Sequence, residues 1–144
     1  MDRIKARCLE DFLGRWRLER EITDALGPPA RFEGFAEWRP EGGADARSED
    51  APLLCVETGQ LEVSGQGRFA AERRYLWAPD LSVFFADGRF FHQVPPVGGP
   101  AEHWCDPDHY RVLYDFSDWP RFRTTWEVSG PRKSYRMVSD YRRV

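Results

Sequence analysis

The chain has 144 residues, 31% of them charged and 15% aromatic, with a formal net charge of -3. That length suits one domain over residues 1–144, and the interleaved charges offer no basic stripe for a nucleic-acid partner. No apolar run is long enough to cross a bilayer, so no membrane partner is expected, and the scattered Cys8, Cys55 and Cys105 imply free thiols in a reducing, cytoplasmic compartment.

Ile4, Cys8, Leu9, Phe12 and Leu13 recur at helical spacing and Gly14 is a suitable stop, which predicts a short amphipathic helix over residues 1–13. From Arg15 the period becomes two. Trp16, Leu18, Arg20 and Ile22 alternate with Arg15, Arg17, Glu19 and Glu21, the mark of a strand with one buried face. Asp24 to Pro29 is a turn, and Arg31 to Arg39 is a second strand with Phe32, Gly34, Ala36 and Trp38 on one side. Residues 40–52 are polar and aperiodic and read as a mobile loop. Strands follow from Leu53 to Val63, Phe69 to Trp77, Leu81 to Ala86 and Arg89 to Val94, the last two joined by the hairpin signal Asp87-Gly88. After a loop from Pro95 to Pro100 the pattern resumes from Ala101 to Cys105, Tyr110 to Phe116, Phe122 to Ser129 and Ser134 to Arg142.

About eight to ten short strands with tight connections exclude a parallel sheet, whose neighbours need long crossovers. The expected fold is all-β: a single antiparallel up-and-down barrel, because closure removes the exposed edges that invite aggregation.

Gly14-Arg15-Trp16, at the head of the first strand and just after the helix, resembles the Gly-x-Trp signature of the calycins, the superfamily of lipocalins and fatty-acid-binding proteins. In that superfamily the Trp closes one end of the barrel beneath a basic side chain of the final strand. The resemblance implies a contact between Trp16 and Arg143, with Arg142 as the reserve. Over nearly its whole length the chain also resembles a mainly bacterial family of unknown function with a calycin-like barrel. That likeness rests on Phe12-Leu13-Gly14-Arg15-Trp16, Glu57-Thr58-Gly59, the segments Arg73 to Trp77 and Phe85 to His92, and the segments His103 to Tyr110 and Trp126 to Lys133. It implies a fold and carries no activity.

Alternate residues of a barrel strand point inward. Trp16, Leu18 and Ile22 therefore take Arg20 in with them, and Phe69, Ala71, Tyr75 and Trp77 take Arg73. On the third strand Leu53, Cys55 and Leu61 bring Glu57 inward, although Leu54 and Val56 would suit the opposite face. Ionised groups sealed from water need partners. Arg20, Glu57 and Arg73 either form an internal salt-bridge cluster with ordered water, or their surplus positive charge receives the acidic group of a compact small molecule. In the second case the apolar body of the ligand lies against Trp38, Tyr75, Trp77 and Phe85, and His92, His103, Tyr110 and Tyr114 complete the lining. A small-molecule-binding barrel is the leading expectation. Two alternatives stay open: a barrel enzyme of the isomerase, lyase or hydrolase kind, with His103, Asp108 and Glu57 as catalytic acid–base residues, and a structural module whose interior is filled by side chains.

His103 and Cys105 are two apart and face one way within a strand, but zinc normally takes two such pairs. No metal and no cofactor is expected. A thiolate pair of Cys105 with His92 or His103 lacks any recognisable nucleophile setting, and no glycine-rich loop leads into a helix that would hold phosphate.

Overall fold

Alternation along the chain becomes ten antiparallel strands in the computed structural model, which describes residues 5–43, 45 and 47–144. In chain order they are β1 (Gly14–Asp24), β2 (Ala30–Pro40), β3 (Leu53–Val63), β4 (Gly67–Trp77), β5 (Ser82–Phe85), β6 (Phe90–Gln93), β7 (Gly99–Cys105), β8 (Asp108–Asp115), β9 (Phe122–Ser129) and β10 (Ser134–Arg143). They form one sheet in the order β6-β5-β4-β3-β2-β1-β10-β9-β8-β7, so the first and last strands pair and the sheet curls into a nearly closed barrel. No helix among the described residues is long and apolar enough to cross a membrane.

The opening helix is shorter than its spacing suggests. Among residues 5–13 only Leu9–Phe12 is helical, a single 3-10 turn, and residues 1–4 lie outside the described residues. The Arg7 amide donates to the Pro96 carbonyl at 2.6 Å instead of to a preceding helical turn, and Cys8 is fully extended. Of the loop read over 40–52, Pro40 belongs to β2, Ala44 and Ala46 lie outside the described residues, and Arg47 pairs with Glu10 of the opening turn.

One end of the barrel is plugged by aromatic rings. Trp16 is fully buried and donates its indole N–H to the Phe12 carbonyl at 2.8 Å. The guanidinium of Arg143 lies 4.1 Å over the Trp16 ring and bonds the carbonyls of Leu13 and Asp11, the contact implied by the calycin resemblance. Phe12 meets Trp38, Trp77 and Trp119 at centroid distances of 5.6, 5.0 and 5.3 Å, so the turn caps the barrel with a ring packed on β2, β4 and the connection before β9.

The backbone ladder stays open between β6 and β7, where full closure was expected. Side chains seal that seam instead. A register shift at Val83/Phe84 gives β6 an extra residue opposite β5, and Phe91 and His92, though adjacent, are both buried. Phe91 stacks on Trp126 of β9 at 5.0 Å, and His92 stacks on Tyr114 of β8 at 5.8 Å.

Gly34 and Gly59 oppose each other where β2 and β3 approach most closely. A Cβ at Gly34 would stand 2.0 Å from the Thr58 carbonyl oxygen, and one at Gly59 2.2 Å from that of Glu33. Gly34→Ala and Gly59→Ala should each lower stability by about 1–3 kcal/mol, the usual cost of overpacking. Gly27→Ala, whose nearest neighbour would be 3.4 Å away, should leave the urea midpoint unchanged; equal midpoints for all three would show that the crossing is not tight.

Candidate functional site

Beyond the aromatic plug the barrel interior turns polar. Arg20 of β1 and Glu57 of β3 meet in a forked ion pair, Nη1 to Oε1 at 3.0 Å and Nη2 to Oε2 at 3.2 Å, with both residues buried. Two β10 hydroxyls complete it: Arg20 Nε donates to Ser139 Oγ at 2.7 Å, and Tyr141 Oη donates to Glu57 Oε2 at 3.2 Å. Burial alone would push the Glu57 carboxyl up, but attraction and hydrogen bonds from Arg20, aided by Arg73 and Tyr141, hold it below the usual carboxylate range. Burial likewise opposes the charge of Arg20, and Glu57 outweighs it.

Around this pair lies a cavity of about 80 Å3. Trp38 and Trp77 form its inner wall, Tyr75 and Arg73 its β4 side, and His92, Tyr110 and Tyr114 the side beneath the seam. A second void of about 70 Å3 lies across the Arg20–Glu57–Arg73 belt, bounded by Ile22, Phe32 and Ala71. Larger grooves exist on the outer surface, but the one of about 390 Å3 runs among Arg17, Glu19, Arg123 and Asp140, charges that already pair with one another.

Arg20 and Glu57 cancel, so the charge left in the cavity wall belongs to Arg73. Its side chain reaches the cavity from an exposed position at the mouth and, among the described residues, has no carboxylate within ion-pair distance. Its chain neighbour Arg74 points outward and is paired with Glu72 at 3.1 Å. Burial raises the Tyr75 hydroxyl above its ordinary pKa, as does Glu57, while Arg73 partly offsets both.

His92 Nε2 and Tyr114 Oη share a hydrogen bond of 2.8 Å. Burial, helped by nearby His103, pushes the His92 pKa down to about 3, so the imidazole is neutral. Burial also carries the Tyr114 phenol well above its usual value. His92 Nδ1, Trp38 Nε1 and Thr124 Oγ1 are buried without a hydrogen-bond partner among the described residues, and all three residues line the same cavity. Such atoms are costly to leave unsatisfied, and three in one small space is a concentration that a solvent or ligand group relieves.

The remaining residues singled out from the sequence lie elsewhere. Phe85 and His103 stand outside the cavity against Phe91, at 4.4 and 5.4 Å. Asp108 turns away to Lys133 at 3.1 Å, pressed so closely on Gly130 that a Cβ there would overlap its carboxylate. His103, Asp108 and Glu57 are therefore not joined as an acid–base set. No group of three or more His, Cys, Asp or Glu among the described residues is placed to hold a metal ion. Thr124, Trp126 and Tyr141 line the cavity and were not singled out, although alternation along β9 and β10 points them inward.

A family model matches residues 12–143, from the capping turn to the end of β10. The chain belongs to DUF6314, a family of unknown function. No curated protein matches the chain in sequence. Among solved structures this DUF6314 barrel is similar to the S-type phycobiliprotein lyase CPES of Guillardia theta, with a TM-score of 0.66 and 9% identity over 94% of this chain and 90% of the other. At that identity the likeness is one of fold.

Glu57→Gln should cost about 3–5 kcal/mol, because it strands a buried guanidinium, whereas replacing Arg20 and Glu57 together by Met and Leu should recover most of the loss. Urea midpoints test this, and a single variant as stable as the wild type would deny the pair its role. His92 has an ordinary value of 6.5 and a folded value of about 3. The unfolded chain thus takes up the proton first, and stability present above 6.5 is lost as pH falls toward 3. The melting temperature should drop from pH 7 to 5, and less steeply in His92→Gln; some slope persists because burial shifts His103 the same way. Parallel slopes would mean that His92 is solvated.

Proposed function

We propose that this DUF6314 protein is a small-molecule-binding barrel for a compact acidic ligand with an apolar body. The observation that carries the reading is Arg73, a guanidinium with no carboxylate in ion-pair distance among the described residues, at the mouth of a cavity walled by Trp38, Trp77, Phe91 and Trp126. Its planar fork suits a carboxylate, and Tyr75 beside it supplies a hydroxyl. Arg20 contributes by neutralising Glu57, which would otherwise repel an incoming acid. The break in the ladder between β6 and β7 supports entry, because that wall widens without loss of backbone hydrogen bonds. The likeness to a phycobiliprotein lyase supports the barrel alone, and the ligand class is argued from the residues.

A filled interior is the second reading, and one observation favours it: about 80 Å3 is room for only a few waters. Native mass spectrometry of the protein as purified, followed by tryptophan fluorescence titration with small aromatic carboxylates, separates the two. The binding reading expects a bound acid or saturable quenching, weakened about tenfold or more in Arg73→Gln, the scale of a charge-assisted hydrogen bond. An empty mass in every preparation, together with no quenching, would decide for the filled interior.

A further inference from the structure

The three unpartnered atoms say more about the ligand than its charge. Trp38, His92 and Thr124 are 2%, 2% and 3% exposed, so none of their free polar atoms reaches bulk water, and all three side chains line one cavity. Thr124 sits opposite Tyr114 in the β8–β9 ladder, and Tyr114 holds the His92 ring, so two of the three belong to one wall. Trp38 sits on the other, opposite Cys55.

Resting on the reading of this cavity as an acid-binding site, we infer that the ligand is bipolar: its carboxylate meets Arg73 at the mouth, and an uncharged oxygen at its far end is received by Trp38, Thr124 and His92. The chemistry of the three atoms selects that oxygen. An indole N–H only donates, a threonine hydroxyl does either, and a neutral imidazole nitrogen donates or accepts according to tautomer. A hydroxyl, which donates once and accepts twice, satisfies all three, and a carbonyl oxygen accepts from two. An ammonium group cannot accept from Trp38, and a methyl group leaves every one unsatisfied.

Ladder register sets the spacing. Arg73 faces Glu57, and Trp38 faces Cys55, two residues further along β3 toward the plugged end. At the rise of an extended strand that is about 7 Å along the strands, and β4 and β2 stand on either side of β3, about 10 Å apart across the sheet. Side chains from both walls reach inward across that gap, and the class is that of carboxylic acids with a hydroxyl or carbonyl oxygen at the opposite end, of which 4-hydroxybenzoate is a compact member.

Calorimetric titration of the full chain with 4-hydroxybenzoate, 4-methylbenzoate and 4-(aminomethyl)benzoate tests the inference. The hydroxy acid should bind at least tenfold tighter than its methyl isostere, and the ammonium compound weaker than both. Thr124→Val, which keeps the side-chain shape, and Trp38→Phe should each shrink the ratio of hydroxy-acid to methyl-acid affinity at least threefold. Arg73→Gln should weaken all three acids and keep their ratio. Equal affinity of the hydroxy and methyl acids for the wild type, or a preference intact in both cavity variants, would overturn the bipolar ligand while an Arg73 effect upheld the acid site. No binding of any acid would overturn both.

Discussion

Two opposite charges held out of water organise this barrel. Arg20 and Glu57 are each under a tenth exposed, and neither survives burial as an ion without the other. Their forked contact, closed off by Ser139 and Tyr141, joins β1, β3 and β10, so it links strands far apart in the sequence and penalises any slip of register that would separate them. It also sets the electrostatics of the interior: with that pair neutral, the cavity wall keeps the single positive charge of Arg73.

The barrel is built asymmetrically around that belt. At one end Phe12, Trp16, Trp38 and Trp77 interlock beneath Arg143 and exclude water. At the other, the exposed Arg73 stands at the cavity mouth beside Tyr75. The seam between β6 and β7 belongs to neither end; it is closed by rings instead of backbone hydrogen bonds, through a bulge that turns both Phe91 and His92 inward. A bulge beside a cavity re-aims a side chain at no cost to the rest of the sheet, and here it brings the His92 imidazole onto Tyr114.

Within that frame the polar atoms divide by fate. Those of Arg20, Glu57, Ser139 and Tyr141 satisfy each other, whereas Trp38 Nε1, His92 Nδ1 and Thr124 Oγ1 find no partner among the described residues. The first group explains why the fold holds together, and the second shows where it is ready to receive something else. An acid–base set of His103, Asp108 and Glu57 would have required these to converge, and the geometry scatters them among the seam, the Lys133 ion pair and the Arg20 ion pair.

Period-two alternation by itself determined the strands and the inward facing of Arg20, Arg73 and Trp38, because side-chain direction along a strand is a local property, and tight connections made the sheet antiparallel; on β3, where both faces carry apolar residues, it left Glu57 open. The Gly-x-Trp resemblance likewise located the Trp16–Arg143 contact. Only the tertiary structure decided that Arg20 belongs to Glu57 and that Arg73 is left over, since partner choice depends on register between strands distant in sequence. It alone revealed Phe91, because a bulge breaks the alternation from which facing is read, and it alone turned Asp108 toward Lys133. The opening helix shrank to one turn for the same kind of reason: the Arg7 amide found the Pro96 carbonyl on a distant loop, and helical spacing records which residues seek burial without recording what will bury them.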